Sequence, residues 1–241
     1  MTPPPEHQPM VATIVIYLGS ETEALAHYAP LFAVPPVAQN VKVQPYFSLN
    51  ELLDSFERPE ARRVMKGSSF LPPASVEYAQ SLLDELQAFG KRVPEATGTL
   101  ISLEYVNTRK TRLVGQRETA YPNRGKLVNL VFSTSWLDPA NDAVCREWTR
   151  EMGLKARAAV EKSQMEESTD TMTREGSTEY VNFDGELILL RHLSIRELII
   201  GVAGIGGNAK AVYGVNYERL RELKQKYDPT NVFSKGVNLL E

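Results

Sequence analysis

The stretch "KLVNLVFSTSW", residues 126–136, alternates in a way that decides the fold. Successive side chains of a strand point to opposite faces, so Asn129, Val131 and Ser133 share one face and Leu130 and Phe132 the other. The second face holds the larger apolar residues expected beneath helices. The first either lines a pocket or meets solvent, and the placement of the large apolar residues on the opposite face favours the pocket. Upstream, "GTLISLEYV" (98–106) also reads as a strand, and only an irregular basic and polar link reaching Asn123 separates the two. Parallel neighbours need a crossover, usually a helix, so this pair is expected to be antiparallel. An α+β fold follows: a mostly antiparallel sheet covered by helices on one face.

Working outward, "MVATIVIYLG" (10–19) has the β-branched content of a buried strand, and "VKVQPYFS" (41–48) alternates as another. Ser20 is placed to cap a helix over 21–32, which "VPPV" (34–37) cannot continue. "LNELLDSF" suggests a short helix, "RRVMKGSSF" (62–70) an extended segment, and "SVEYAQSLLDELQAFG" a helix ending at Gly90. A helix over 139–162, a polar loop over 163–178 and a short strand "TEYVNF" follow. The last helix, Asn208 to Tyr227, puts Tyr213, Asn216, Tyr217, Leu220, Leu223 and Tyr227 on one side and stops before Pro229. Residues 1–10 are expected to form a flexible proline-rich tail, and 11–241 a single domain.

The 27 basic and 30 acidic residues of this 241-residue chain are interspersed, without the basic stripe that phosphate backbones require, so nucleic acid is not expected as a partner. No apolar run approaches the roughly 20 residues that span a bilayer, and the N-terminal stretch lacks a signal peptide's basic start and cleavage site. A single cysteine, Cys145, forms no internal disulfide and suits a reducing compartment, so the cytoplasm is expected. No metal-ligand spacing occurs. "GVAGIGGNA" (201–209) partly matches a dinucleotide fingerprint but lacks the following strand with its acidic ribose ligand, and reads better as a glycine hinge.

The ending, "YGVNYERLRELKQKYDPTNVF" (213–233), resembles the C-terminal signature of the berberine-bridge-enzyme-like family of FAD-linked oxidoreductases. Tyr213, Gly214, Asn216, Arg219, Leu220, Lys224, Tyr227, Asp228, Pro229, Asn231 and Phe233 all fall in place, within a C-terminal segment taken as 208–233. "TAYPNRGKL" (119–127), "STSWLDP" (133–139) and "YVNF" (180–183) are similar to further family segments in the same order. The resemblance implies a substrate domain whose sheet roofs the reactive pocket. It also implies a preceding FAD-binding domain with a histidine and often a cysteine that attach flavin. The sequence here begins where that domain would finish, so no cofactor and no cofactor-binding residues are expected.

Through the resemblance, Lys66 and Tyr46 match a pocket lysine and a substrate-contacting aromatic, and Val131 stands where plant-type relatives often carry Glu or Gln. Glu104, Tyr121 and Arg124 flank the loop closing the same face, where they either polarise a substrate carbonyl or phenol or form a plain surface pair. The expected catalytic set is therefore Lys66, Tyr46, Tyr121 and Arg124. The expected substrate-binding set is Glu104, Asn129, Val131, Ser133, Asn182, His192, Tyr213 and Asn216. His192 enters as one of only three histidines, and the one lying in an amphipathic stretch beside Arg191.

Two readings of function follow from the resemblance. The first is a cofactor-independent enzyme of specialised, fungal-type metabolism, similar to the short flavin-free pericyclases that act as hetero-Diels–Alderases. It would take small apolar or aromatic substrates and act as a homodimer. The second is a part or accessory subunit of a split FAD-dependent oxidoreductase, with a non-catalytic carrier of apolar metabolites as a further possibility.

Overall fold

The computed structural model describes residues 9–52, 60–166, 209–234 and 237–240. The expected strand 178–183, Asn182, His192 and the glycine-rich stretch 201–207 lie outside the described residues. The chain divides into two compact units, Met10–Glu60 and the remainder.

In the Met10–Glu60 unit, helix α1 (Glu21–His27) starts on a capping box. The Ser20 hydroxyl accepts from the Glu23 amide, and the Glu23 carboxylate reaches back to the Ser20 backbone, so two orphan helix-end donors are satisfied reciprocally. Helix α2 (Ala29–Phe32) follows and ends before the paired prolines. The two strands expected in this unit do not form: residues 10–17 and 41–45 are irregular, and Tyr46–Glu51 is a 3-10 helix. Their apolar alternation has no sheet to register against, and Ile14, Val15, Ile16 and Leu18 remain exposed. β-propensity expresses packing on a pleated neighbour more than a backbone preference.

The larger unit holds a three-stranded antiparallel sheet of β1 (Arg62–Phe70), β2 (Leu100–Leu103) and β3 (Val128–Trp136), in the order β1-β3-β2. Val64 pairs with Thr134, Lys66 with Phe132 and Phe70 with Val128, while Ile101 pairs with Phe132. Paired residues share a face. One face is thus Val64, Lys66, Ser68 and Phe70 with Ile101, Leu103, Leu130, Phe132 and Trp136.

Helices α3 (Val76–Arg92) and α5 (Asp142–Glu166) supply the rest of the core, through Leu82, Leu86, Phe89, Cys145, Trp148, Met152 and Ala156. Phe89 stacks on Trp148 at 4.2 Å between ring centroids. Helix α3 runs two residues past Gly90, because Lys91 and Arg92 suit the negative end of the helix dipole. Helix α5 is seated on the sheet by side chains at both its ends of contact. Asp142 accepts two hydrogen bonds from Arg62 of β1 and one from Trp136 Nε1 of β3, at 2.8 Å. Further along, Thr149 donates to the Cys145 carbonyl, so the Thr134 hydroxyl of β3 donates to Thr149 at 2.6 Å.

The C-terminal segment comprises α6 (Ala209–Tyr213), a 3-10 turn (Gly214–Asn216) and α7 (Tyr217–Tyr227) in place of one continuous helix. Gly214 sits at φ +50, a left-handed position that breaks the helix and that a Cβ would strain. Only the beginning of the expected apolar side is buried: Tyr217 is covered, whereas Leu223 and Tyr227 are exposed.

Candidate functional site

The face of the sheet opposite the core carries Met65, Gly67 and Ser69 of β1, Leu100 and Ser102 of β2, and Asn129, Val131, Ser133 and Ser135 of β3. Val131 is only 3% exposed and Ser133 7%, so this face is covered over most of its length and is neither an open floor nor a solvated surface. Gly98 closes one end: a Cβ there would lie 3.2 Å from the Ser135 side chain. At the opposite end Ser102, Glu104 and Asn129 are half-buried.

Glu104 extends the ladder beyond β2, its amide donating to the Asn129 carbonyl at 3.0 Å. Asn129 Nδ2 donates in turn to the Glu104 carboxylate at 2.9 Å. Two of the expected substrate-binding residues are therefore one hydrogen-bonded unit. It stands where the chain leaves β2 and where it returns to β3, and so at the root of the connection 105–127.

That connection is held by its own polar contacts around one short helix, α4 (Arg109–Arg112). Arg124 donates to the Thr111 carbonyl and to the Thr119 hydroxyl, and its guanidinium lies 5.1 Å from the centre of the Tyr121 ring. Tyr121 and Arg124, expected together, are thus brought together, with the cation over the ring face. Gln116 Nε2 donates to the Pro122 carbonyl at 2.6 Å, and Asn216 Nδ2 donates to the Gln116 carbonyl at 3.0 Å. Gln116, Thr111 and Thr119 were invisible as site residues because an irregular loop has no period from which to read facing positions.

The remaining expectations divide. Lys66 is on the other face of the sheet, 8% exposed and beside Gly153 of α5, so it is separated from Asn129, Val131 and Ser133 by the sheet itself. Its residue number has the parity of Leu130, which antiparallel pairing converts into a shared face. Tyr46 is 74% exposed on the 3-10 helix of the Met10–Glu60 unit. Tyr213 is half-buried on α6, and desolvation raises its phenol above the ordinary value. Asn216 is 6% exposed and uses its amide on the Gln116 carbonyl, a structural contact. No group of three or more metal-ligating side chains occurs among the described residues.

The signature at the end of the chain has a physical meaning of its own. Lys224 donates to Asp228 Oδ2 and to the Phe233 carbonyl, while the Val232 and Phe233 amides donate to the same carboxylate at 2.7 and 3.0 Å. Lys, Asp, Pro and Asn at these spacings lock the turn that follows α7, with Asn231 in the left-handed region at φ 55. Residues 192–237 match the family described as "Berberine and berberine like". The C-terminal segment is thus similar to that family. Through Asn216, this berberine-like segment is tied to the connection that carries Tyr121 and Arg124.

Over 98% of its length the chain is 23% identical to the FAD-linked oxidoreductase pgmH of Aspergillus terreus (strain NIH 2624 / FGSC A1156), and it covers 45% of that protein. Among solved structures, aclacinomycin oxidoreductase superposes over 90% of this chain with a TM-score of 0.55 at 18% identity. CrmK, a flavoenzyme in the shunt product recycling mechanism of caerulomycin biosynthesis, superposes over 88% with a TM-score of 0.54 at 21% identity. The chain spans 40% of each of those two proteins. Likeness at this identity shows the fold, and the α+β arrangement with its antiparallel sheet is shared. No described helix is long and apolar enough to cross a membrane.

Neither the cysteine nor the described histidine suits covalent attachment of a flavin. Cys145 is fully buried and its thiol is pushed up to about 11, chiefly by desolvation, so it is not poised as a thiolate to attach a flavin. His27 belongs to a ring cluster with Tyr17 and Tyr28 beside α1. Among the described residues the covalent anchors therefore do not fit.

Proposed function

We propose that this chain is the substrate-holding part of a berberine-like enzyme of specialised metabolism, and that its chemistry is a cofactor-independent cyclisation of the hetero-Diels–Alder type. The reading rests on one observation: the hydrogen-bonded Glu104 and Asn129 at the accessible end of the sheet face, rooting a loop on which Arg124 is fixed against Tyr121. Cycloaddition of an o-quinone methide to an alkene forms one C–C and one C–O bond and expels no atom. It needs no proton shuttle, only two reactants held in near-attack geometry and a donor on the carbonyl oxygen as it gains negative charge. Tyr121 and Arg124 supply such donors. Glu104 and Asn129 orient a phenolic or amide edge. Apolar or aromatic small molecules, self-association as a dimer and a cytoplasmic location belong to the same proposal, while nucleic acid and membrane lie outside it.

A second reading, a part of a split FAD-dependent oxidoreductase, is favoured by a different observation. Tyr227, Val232 and Phe233 are more than 70% exposed around a turn that Asp228 holds rigidly, an apolar surface suited to another polypeptide.

The deciding experiment incubates the purified chain, first checked for flavin absorbance, with an o-hydroxybenzyl alcohol that loses water to give the quinone methide, together with an unactivated alkene. Enantiomeric excess in the cyclic ether, reduced roughly a hundredfold in rate by Arg124→Gln, is expected. A racemic product at the background rate sinks the cyclase reading. Bound flavin after purification would replace it with the split oxidoreductase.

A further inference from the structure

We infer that the connection 105–127, whose Tyr121 and Arg124 also serve the proposed reaction, is an oxyanion-binding loop that takes the phosphoryl or carboxyl group of a ligand, a property read by binding and not by turnover. Arg109, Lys110, Arg112, Arg117 and Arg124 lie within 16 residues of one another, against Glu118 as the single acid in that span. Glu118 is not their partner, since its carboxylate accepts from the Gly115 amide at 2.7 Å. Among the described residues, none of the five cations is paired with a carboxylate. This is not a solvated charge run of the usual kind, because two of the guanidiniums turn inward: Nε of Arg112 and Nε of Arg124 are both buried without a hydrogen-bond partner.

A buried donor of a permanently charged group ordinarily finds an acceptor, and an orphan calls for one. Arg124 cannot swing away to find its own. The Thr111 carbonyl, the Thr119 hydroxyl and the Tyr121 ring fix its other two nitrogens and its plane. Such a preset donor loses little freedom on binding. The loop is itself anchored to the berberine-like segment by the 3.0 Å bond from Asn216 to the Gln116 carbonyl, so its cations are presented on a constrained frame. Arginine in this state selects multi-oxygen anions over halides, because it offers directional donors in place of a point charge.

The test uses the full chain and two probes, inorganic pyrophosphate and sodium benzoate, titrated calorimetrically against sodium chloride at matched ionic strength. Saturable binding of at least one probe below about 1 mM is expected, weakened about tenfold or more in Arg112→Gln and in Arg124→Gln. Lys226→Gln, which removes an exposed cation from α7 outside the loop, leaves the affinity unchanged. Binding of pyrophosphate assigns the anion to a phosphoryl group, and binding of benzoate alone, with the same dependence on Arg112 and Arg124, assigns it to a carboxylate. Saturation by neither probe, equal displacement by chloride, or equal weakening in Lys226→Gln overturns the inference. Should a glutamine variant fail to fold, Arg112→Lys and Arg124→Lys decide instead: each keeps the charge but has no Nε donor, so undiminished affinity overturns the site.

Discussion

Gly153 of α5 makes the space that Lys66 of β1 occupies. A Cβ at position 153 would come within 2.8 Å of Lys66 Cγ. Elsewhere in a helix interior, replacing glycine by alanine adds up to about 1 kcal/mol of stability. Here the contact is with an atom close to the lysine backbone, which cannot be moved without re-routing the whole buried side chain. Gly153→Ala is therefore expected to lower the melting temperature, by overpacking of about 1–3 kcal/mol less the helix-propensity gain. The double variant Gly153→Ala, Lys66→Ala should recover part of the loss. A higher melting temperature in Gly153→Ala alone would show that the space is not needed.

The Cys145 thiol is expected to be inert in the folded chain. It is completely buried, and desolvation, reinforced by the Glu95 and Asp142 carboxylates, pushes it up to about 11, leaving almost no thiolate at neutral pH. Labelling with a disulfide reagent at pH 8 should be slow until denaturant is added and then run to one equivalent. Rapid labelling of native protein would place the thiol on the surface.

Much of the sheet was legible from residue parity. Leu130 and Phe132 do face the helices, and the antiparallel pairing follows from the loop that joins β2 to β3. Lys66 was not legible, because which parity of β1 matches which of β3 is a matter of register, and register is set by pairing across the sheet. The same limit applies to residues 10–17, strand-like in composition yet irregular. At the site, Tyr121 and Arg124, three positions apart, come together, whereas Glu104, grouped with them in the sequence, is held by Asn129 across 25 positions, a pairing that only the β2–β3 register sets. Gln116 and Asn216 meet across 100 positions, which no local pattern announces.

Acid should loosen the end of the berberine-like segment in a defined window. The hydrogen bond from Lys224 holds the Asp228 carboxyl below its ordinary range; desolvation opposes this, and the Val232 and Phe233 amides lower it further. A folded value below the unfolded one contributes stability that is fully present above the unfolded value, about 3.9, and lost as pH falls through the folded value. The loss therefore develops below about pH 4. Asp228→Asn should melt lower at pH 7 and show a flatter acid limb than the parent. Superimposable acid limbs would remove Asp228 from the account.

Asn216 gives the sharpest separation of a structural role from a substrate role. Its Nδ2 donates to the Gln116 carbonyl, and the side chain is almost fully enclosed, so removing the donor strands an acceptor that water reaches poorly. Asn216→Ala is expected to cost about 1–3 kcal/mol and to speed proteolytic cleavage within 105–127, the loop that this bond anchors. Asn216→Asp should cost more than alanine, because it sets a charged acceptor against a carbonyl oxygen that is also an acceptor. Asn216→Gln retains the donor but adds a methylene to an enclosed site, so it should fall between the parent and alanine. Chemical denaturation and limited proteolysis of the three variants check the order. If all three melted with the parent and lost only turnover, the amide would belong to substrate, and the tie between the berberine-like segment and the loop would be incidental.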